Sequence, residues 1–377
     1  MNFEPSEDAR AFADTAQALF ADYCGDEQLR GHDAGGAPYM EALWRQCVAA
    51  GLHTIVVPEA EGGLGLGMEE LTCVLEQQGA ALALVPLWEY QLGLAAVLEF
   101  GLPPAREKVL GGAPERELLA LSLASLYAAR GPSLRALRID GGFRISGCAA
   151  AVPLGAQAAR ALLAVDLEGK QRLLLVDLDN PAVKRKPGTT QHHLAVADLV
   201  FDALEVGVDG LLAEAALGWL EPRAIACLAA LQLGVSTRQL ARTVEYVAER
   251  RQFERVIGSF QLVAAQMADG QIAVEALRSL LAQLVYRLDA GQGVMPQAWS
   301  TRTLACEAGH RVGHAAQHVH GGIGVDTSFH IHRFLFWSRA LGLALGGTAQ
   351  NLAKLGDWLA DHNTLGWKYD LPEDQAV

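Results

Sequence analysis

The sequence predicts an α+β protein of several domains, with an N-terminal α-helical domain, a central antiparallel β domain and a C-terminal four-helix bundle. The prediction rests on two changes in the spacing of apolar residues. Helical spacing persists to about residue 118, short apolar runs broken by Gly, Asp and Pro follow to about residue 210, and helical spacing then returns. The chain of 377 residues is long enough for two or three such domains. We therefore expect domains over residues 1–118, 119–210 and 211–377.

Three apolar stripes predict helices in the N-terminal domain. The stripes are Phe12, Ala16, Leu19 and Phe20; Leu43, Val48 and Leu52; and Leu71, Val74 and Leu75. The glycine-rich stretch 62–67 (GGLGLG) lies between the last two stripes. It lacks the GxGxxG spacing and the strand–turn–helix context of a phosphate-binding loop, so we interpret it as an inter-helix connection.

Turn residues between apolar runs predict two hairpins in the β domain. The first hairpin turns at 140–142 (DGG) and the second at 168–170 (EGK), and residues 194–201 predict a later strand. In the C-terminal domain the pattern predicts helices over 219–249, 260–288, 296–319, 327–339 and 348–361. The length of the first three favours an antiparallel bundle.

Composition and charge exclude several classes of function. A net charge of −13 argues against a nucleic-acid groove and against an anionic membrane surface. The six cysteines form no CxxC pair, which is typical of thiols in a reducing compartment. The first ten residues are acidic, unlike a signal peptide, and Glu89 and Glu99 interrupt the most apolar stretch, 82–102. We therefore expect a cytoplasmic protein that binds neither nucleic acid nor membrane.

The segment 250–261 (RRQFERVIGSFQ) joins two of the predicted long helices and carries the first motif with functional chemistry. Guanidinium groups bind phosphate oxygens in a bidentate geometry, and an aromatic ring packs on a nucleotide ring. A solvated basic turn at a helix C-terminus would also explain Arg250 and Arg251, because the helix dipole favours cations there. That alternative leaves the following IGSFQ unexplained.

The second motif is the tract 317–326, which contains the sequence HVHGGIG. His310, His314 and His318 recur at helical i, i+4 spacing, as metal ligands would. No acidic partner of the HExxH kind accompanies them, so we do not expect a metal. The double glycine Gly321-Gly322 instead favours close approach of backbone amides to an anionic ligand.

Together, these two motifs resemble the paired signature of the acyl-CoA dehydrogenase family. The segment 58–65 (PEAEGGLG) and the α–β–α order extend the resemblance over nearly the whole chain. The resemblance implies the acyl-CoA dehydrogenase fold, FAD as cofactor and an acyl-CoA substrate. Members remove the α-proton and the β-hydride to form the trans-2-enoyl thioester. A second flavoprotein, the electron-transfer flavoprotein, then reoxidises the FAD.

The resemblance assigns one set of residues to FAD that is held by a neighbouring subunit. In family members the corresponding positions reach across a dimer interface. In this sequence they are Arg250, Gln252, Phe253, Ile257, Gln261, His318, Gly321 and Gly322. Glu254 stands where the family usually has glycine, and it adds negative charge near the phosphates.

The segments that hold the flavin within the same subunit depart from the family pattern. The stretch 121–131 lacks the family's Glu-Pro, although Ser125 stands near the threonine position. The strand that faces the flavin ring reads Ala-Ala-Val-Pro at 150–153, without the family's aromatic ring and hydroxyl. The resemblance therefore implies that this half of the flavin site is degenerate.

The catalytic base of the family is also missing. Gly346 stands where most members have a glutamate, and glycine cannot abstract the α-proton. A minority of members place the base on an earlier helix, at a position near Ala224. Glu221, one helical turn away, is a weak candidate for the base, and an ordinary carboxylate near the helix N-terminus beside Pro222 explains it better.

These departures lead to the hypothesis that the chain is the non-catalytic subunit of a heteromeric α2β2 acyl-CoA dehydrogenase. Its partner would be a second subunit of the same family that carries the base. The segment 324–337 (GVDTSFHIHRFLFW) resembles the short paired subunits of bacterial members that act on steroid side-chain CoA thioesters. Two alternatives remain open: a homo-oligomeric dehydrogenase with Glu221 as a displaced base, and a scaffold or acyl-CoA-binding protein without flavin.

Overall fold

The computed structural model describes residues 4–114, 116–127 and 134–362. The region before the β domain forms six helices: α1 (Glu7–Tyr23), α2 (Asp26–Gly35), α3 (Glu41–Ala49), α4 (Met68–Ala81), α5 (Leu87–Phe100) and α6 (Pro103–Leu110). Residues of all three predicted stripes are buried, among them Phe20, Leu43 and Leu71. Ser6 caps α1, because its hydroxyl accepts a hydrogen bond from the Ala9 amide. The apolar spacing therefore predicted α1, α3 and α4, although Leu52 of the second stripe lies beyond the end of α3.

The central region folds into one seven-stranded sheet. Its strands are β1 (Leu119–Ser122), β2 (Leu134–Ile139), β3 (Gly142–Pro153), β4 (Arg160–Leu167), β5 (Lys170–Asp177), β6 (Val183–Thr189) and β7 (Ala195–Gly207). The two predicted hairpins, β2–β3 and β4–β5, are confirmed. The sheet is not wholly antiparallel, however, because β1 and β2 each pair with β4 in parallel. Hairpins force antiparallel pairing, whereas β1 and β2 reach β4 through longer connections that permit the parallel arrangement.

Helices return after the sheet in the predicted order. They are α7 (Ala216–Glu249), α8 (Gln261–Asp289), α9 (Met295–His320), α10 (Ile331–Leu343) and α11 (Gly347–Asp361). A two-stranded ribbon, β8 (Arg251–Gln252) and β9 (Arg255–Val256), joins α7 to α8. The helix predicted to begin near residue 327 begins at Ile331, because Asp326 accepts hydrogen bonds from the amide and hydroxyl of Ser328 and fixes a turn there.

Among the described residues, α7 is the one helix long and apolar enough to cross a membrane. Most of its apolar window, 83%, is buried inside the structure. This burial is typical of a core helix in a soluble protein.

The chain packs into two compact units. One contains Met1–Arg30, Met68–Ala83 and Ile225–Val377, and the other contains Gly31–Gly67 and Leu84–Ala224. The first unit thus combines α1 and α4 with the C-terminal helices, although they are far apart in sequence. The three domains expected from the sequence remain a prediction about segments of the chain.

A very close approach of α4 and α7 lies inside the first unit. A Cβ atom built on Gly79 would lie 2.1 Å from the carbonyl oxygen of Leu231, and one on Gly234 would lie 1.9 Å from that of Glu76. Both distances are far below van der Waals contact, and both neighbours are backbone. The two helices therefore pack through backbone atoms at these glycines.

We expect Gly234→Ala to lower the free energy of unfolding by about 1–3 kcal/mol, because α4 and α7 must separate to admit a methyl group. Chemical denaturation measures the change. Gly218→Ala is the matched control, since Gly218 lies on the same helix with no heavy atom within 4 Å of the added Cβ. We expect this control to be neutral or stabilising by up to about 1 kcal/mol. Equal effects of the two substitutions would contradict the close contact.

Candidate functional site

The ribbon between α7 and α8 ends in a strained turn. Its two tip residues, Phe253 and Glu254, have φ angles of 51° and 65°, a left-handed conformation that L-residues other than Gly, Asn and Asp rarely adopt. Arg251 Nη2 donates a hydrogen bond of 2.7 Å to the Glu254 carbonyl, and the Ile257 amide donates one of 2.8 Å to the Arg250 carbonyl. These bonds close the turn and hold its tip in place.

The ribbon presents its side chains to solvent. The side chain of Phe253 is 84% exposed, the largest exposed fraction among the big apolar residues that the structure describes. Arg250, Gln252 and Gln261 are also exposed, and Ile257 is half-buried. Arg255 is exposed as well, and its guanidinium lies 3.9 Å from the centroid of the Phe260 ring, a cation–π contact. The ribbon and the residue before it therefore present the Phe253 ring and the Arg250 guanidinium to solvent.

The glycine pair at the end of α9 leaves its backbone open. Cβ atoms built on Gly321 or Gly322 would meet no heavy atom within 4 Å, and Gly321 has a φ of +60°. Just before the pair, His318 is exposed, and its Nδ1 lies 3.1 Å from Nε2 of Gln266. Among the described residues, none would contact a Cβ atom at position 322, so there is room for another group to approach the backbone closely.

Ring stacking brings the ends of α7 and α9 together. The rings of Tyr246 and His320 stack with centroids 4.2 Å apart. Burial lowers the pKa of His320, and its Nδ1 bonds to the Ala316 carbonyl, so this histidine is a neutral structural group. The ribbon and the glycine pair are thereby anchored at the same end of the helices.

The rings of His310 and His314 lie 4.3 Å apart on α9. In the part of the chain that the structure describes, no group of three or more His, Cys, Asp or Glu residues is arranged to hold a metal ion. The histidine tract therefore gives no support to a metal site.

These residues fit a flavin nucleotide. No side chain shields the backbone at Gly321–Gly322, so a phosphate group can approach it closely, although the Gly321 amide already donates to the Gln317 carbonyl. Arg250 can neutralise the phosphate charge, and the Phe253 ring can pack on a nucleotide ring. If FAD binds at this surface, these residues would hold its phosphates and one of its rings. FAD would there supply the acceptor for a hydride.

In the two segments that the resemblance assigns to flavin binding within the same subunit, polar groups form hydrogen bonds with other parts of the chain. The Ser125 hydroxyl donates a hydrogen bond of 2.7 Å to the Ala164 carbonyl. The Ala151 amide donates to Asp198 at 2.9 Å, in a part of β3 where the strand register shifts. Residues 128–131 of the first segment lie outside the described residues.

The turn that corresponds to the family's base is rigidly held although it carries no carboxylate. Leu345, Gly346 and Gly347 have φ angles of 48°, 87° and 62°. Arg302, fully buried on α9, donates to the carbonyls of Leu341 and Ala344. The amide of buried Asn351 donates to the carbonyls of Leu345 and Gly347 at 2.9 and 2.7 Å. The turn therefore keeps its shape without a side chain at position 346.

The alternative base, Glu221, is engaged in a hydrogen bond. Its Oε1 lies 2.5 Å from the hydroxyl of Tyr127, which donates to it. Both groups belong to the second compact unit. This bond favours the interpretation of Glu221 as a carboxylate with a structural partner, and its role as a base stays a hypothesis.

Glu89 is a perturbed carboxyl that we did not single out from the sequence as a functional residue. It lies on α5 beside a small cavity of about 20 Å³ whose wall includes Leu84, Leu119 and Leu154. Its Oε2 is buried and has no hydrogen-bond partner in the described structure. Burial raises the pKa of this carboxyl to about 8. An acidic residue inside the apolar stretch 82–102 was the available signal.

Glu89 makes the stability of the protein depend on pH. Since its folded-state pKa lies above the ordinary value of 4.5, the folded state binds the extra proton between about pH 5 and 8. Stability is therefore lost as the pH rises through this range. Glu89→Gln should remove this loss and, at pH 8, raise the free energy of unfolding by on the order of a few kcal/mol.

Chemical denaturation at pH 5, 6.5 and 8 measures this dependence. Glu99→Gln on the same helix is the control, because Glu99 is exposed. Parallel pH profiles for the wild type and Glu89→Gln would rule out a buried, unpaired carboxyl.

The strained ribbon tip gives a second test. We expect Glu254→Gly to raise the free energy of unfolding by about 1 kcal/mol, because glycine adopts a positive φ without steric cost. Glu254→Gln removes the same charge but keeps the Cβ, so it should leave stability unchanged. Thermal unfolding compares the three proteins. A gain in the glutamine variant equal to that in the glycine variant would attribute the effect to charge instead of conformation.

Family models match both ends of the chain. The model described as "Acyl-CoA dehydrogenase, N-terminal domain" matches residues 6–116, and the one described as "Acyl-CoA dehydrogenase, C-terminal domain" matches residues 223–359. Together they cover more than half of the sequence. The chain belongs to the acyl-CoA dehydrogenase family, which confirms the resemblance and the fold that it implied.

Three relatives are similar over almost the full length of the chain. The acyl-CoA dehydrogenase FadE27 of Mycobacterium tuberculosis is 31% identical, over 96% of this chain and 99% of its own. A variant of the steroid ACAD Tcur3481-Tcur3483 is 34% identical with a TM-score of 0.87, over 94% of this chain and 98% of its own. The ChsE4-ChsE5 complex of M. tuberculosis is 30% identical with a TM-score of 0.89, over 96% and 100%.

Proposed function

We propose that this chain is the non-catalytic subunit of a heteromeric, FAD-dependent acyl-CoA dehydrogenase of α2β2 composition. It supplies Arg250, Phe253 and the Gly321–Gly322 backbone to FAD that a partner subunit of the same family holds. The partner supplies the carboxylate that removes the α-proton. An electron-transfer flavoprotein accepts the electrons, and the assembly works in the cytoplasm.

The observation that carries the proposal is the exposed ribbon tip. A turn with two consecutive non-glycine residues at positive φ costs on the order of 1–2 kcal/mol per residue, and Phe253 then loses the gain of burial as well. Backbone strain of this kind is typical of functional sites, where the strained residue contacts a ligand or a partner. A partner's nucleotide would cover the Phe253 ring and compensate both costs.

The position of the missing base supports the non-catalytic role. Abstraction of the α-proton of a thioester needs a positioned base, and Gly346 offers only backbone atoms. The surrounding turn is held by Arg302 and Asn351 in a conformation that requires a positive φ at residue 346. A glutamate placed there would adopt a left-handed conformation at some cost, so the present geometry suits glycine.

The relatives support a heteromeric assembly and a steroid substrate class. Two of the similar structures bear names that join two components, and one of these is called a steroid ACAD. By this similarity, the substrate is the CoA thioester of a steroid side chain. The product is its trans-2-enoyl thioester.

Visible absorption of the purified protein tests the proposal. We expect the chain expressed alone to be colourless. Co-expression with a family member that has the glutamate should give a yellow complex with one FAD for every two chains. Stoichiometric flavin in the lone chain would contradict the proposal and would favour a homo-oligomer with Glu221 as its base. A colourless complex would favour a scaffold without flavin.

Substitutions in the ribbon separate flavin binding from assembly. In the complex, Arg250→Ala should weaken FAD binding by about ten-fold or more, because a charge-assisted hydrogen bond to phosphate is lost. Arg238→Ala is the charge-matched control, since Arg238 is exposed on α7, the helix that ends directly before Arg250. Sedimentation should show intact complexes for both. Equal FAD affinity for the two variants would refute the role of Arg250.

A further inference from the structure

A cavity of about 400 Å³ lies inside the first compact unit, away from the ribbon and the glycine pair. It opens between α4 and α8, and Leu233 of α7 forms part of its wall. Its volume falls within the range of about 300–1,000 Å³ that is typical of small-molecule sites. Neither the proposed function nor the family relationship assigns a use to this space.

Contacts at both ends hold the two helices apart around the cavity. At one end, the carboxylate of Asp289, the last residue of α8, accepts hydrogen bonds from the Met68 and Glu69 amides at the start of α4, at 2.8 and 3.1 Å. At the other end, Arg278 Nη1 donates to Glu76 Oε1 at 2.9 Å. The helices therefore run antiparallel and are fixed at two points, with the cavity between them.

The inner wall of the cavity is apolar. Leu233, Leu281 and Val285 are buried and line it, together with Ala282. The Thr72 hydroxyl on the same wall already donates to the Met68 carbonyl at 2.8 Å. The side chain of Tyr286, 44% exposed as a residue, lies at the rim. This surface favours the hydrocarbon or aromatic body of a ligand.

The charged groups around the cavity are mainly acidic. Among the described residues that line it, Glu69, Glu76 and Asp289 are acidic and Arg278 is the one cation. The Cys73 thiol on the wall has its pKa raised to about 12, by burial first and then by the nearby carboxylates of Glu76, Glu69 and Glu70. The excess of negative charge disfavours anions, including fatty acids and CoA thioesters.

We propose that this cavity binds a small amphipathic cation of the alkylamine class. The apolar body lies against Leu281 and Val285, and the ammonium group faces the carboxylates of Glu69 and Glu76. An ammonium group has hydrogen-bond donors and no acceptor, which matches a rim of carboxylate oxygens.

Two probes with the same alkyl chain test the proposal by isothermal titration calorimetry on the full chain. Decylamine and decanoate are used at pH 7, both below the concentration at which they form micelles. We expect decylamine to bind at one molecule per chain, with a dissociation constant at least ten-fold lower than that of decanoate. Equal affinities, or no saturable binding of decylamine, would overturn the proposal.

A pair of charge variants separates electrostatics from structural damage. Glu76→Gln and Arg278→Gln break the same ion pair, but they change the charge of the cavity in opposite directions. Glu76→Gln should weaken decylamine binding by about three-fold and Arg278→Gln should strengthen it by a similar factor. A change in the same direction in both variants would refute the electrostatic part of the proposal.

A steric variant locates the ligand. Ala282→Phe fills the cavity from its wall and should abolish decylamine binding. Ser279→Phe adds the same ring to an exposed position on α8 outside the cavity and should leave binding unchanged. Circular dichroism checks the fold of both. If Ala282→Phe does not fold, the comparison of Glu76→Gln with Arg278→Gln still tests the proposal. Undiminished decylamine binding in a folded Ala282→Phe variant would overturn the assignment of the ligand to this cavity.

Discussion

Arg302 ties the last three helices of the chain together. Its buried guanidinium on α9 donates to two carbonyls at the end of α10, and Asn351 on α11 fixes the turn that follows. A buried guanidinium is tolerated only when its donors are paired, so this bonding strongly constrains the path of the chain through 341–347. That path produces three consecutive residues with positive φ. The turn around Gly346 is thus fixed by hydrogen bonds although its central residue has no side chain.

In the ribbon between α7 and α8, unlike in the turn at Gly346, side chains are exposed at the surface. Its backbone is closed by internal hydrogen bonds, while Phe253 and Arg250 have been left at the surface. A large exposed ring on a strained tip is unfavourable in an isolated chain. The turn at Gly346 is therefore closed by internal hydrogen bonds, whereas the tip of the ribbon is exposed, and the proposed heteromeric function rests on this difference.

Individual residues show how far the sequence could predict the site. Arg250, Phe253, Gly321 and Gly322 could be singled out from their motifs, and the structure leaves Arg250 and Phe253 exposed and the glycine backbone open, while their contact with FAD stays a prediction. Glu89 could not be assigned in the same way. Its raised pKa arises from burial, and burial depends on residues such as Leu154 that are distant in sequence. The cavity between α4 and α8 could not be predicted from the sequence for the same reason, since its two walls come from segments that are distant in sequence.

The sequence by itself determined the order of helices and strands, the two hairpins and the absence of a carboxylate at position 346. These features depend on local periodicity, turn residues and residue identity. Only the tertiary structure decided that β1 and β2 pair in parallel with β4, and that Glu221 bonds to Tyr127 across 94 positions of sequence. Pairings of this kind join segments that are distant in sequence. They depend on the tertiary structure, because packing and hydrogen-bond satisfaction are determined by neighbours in space.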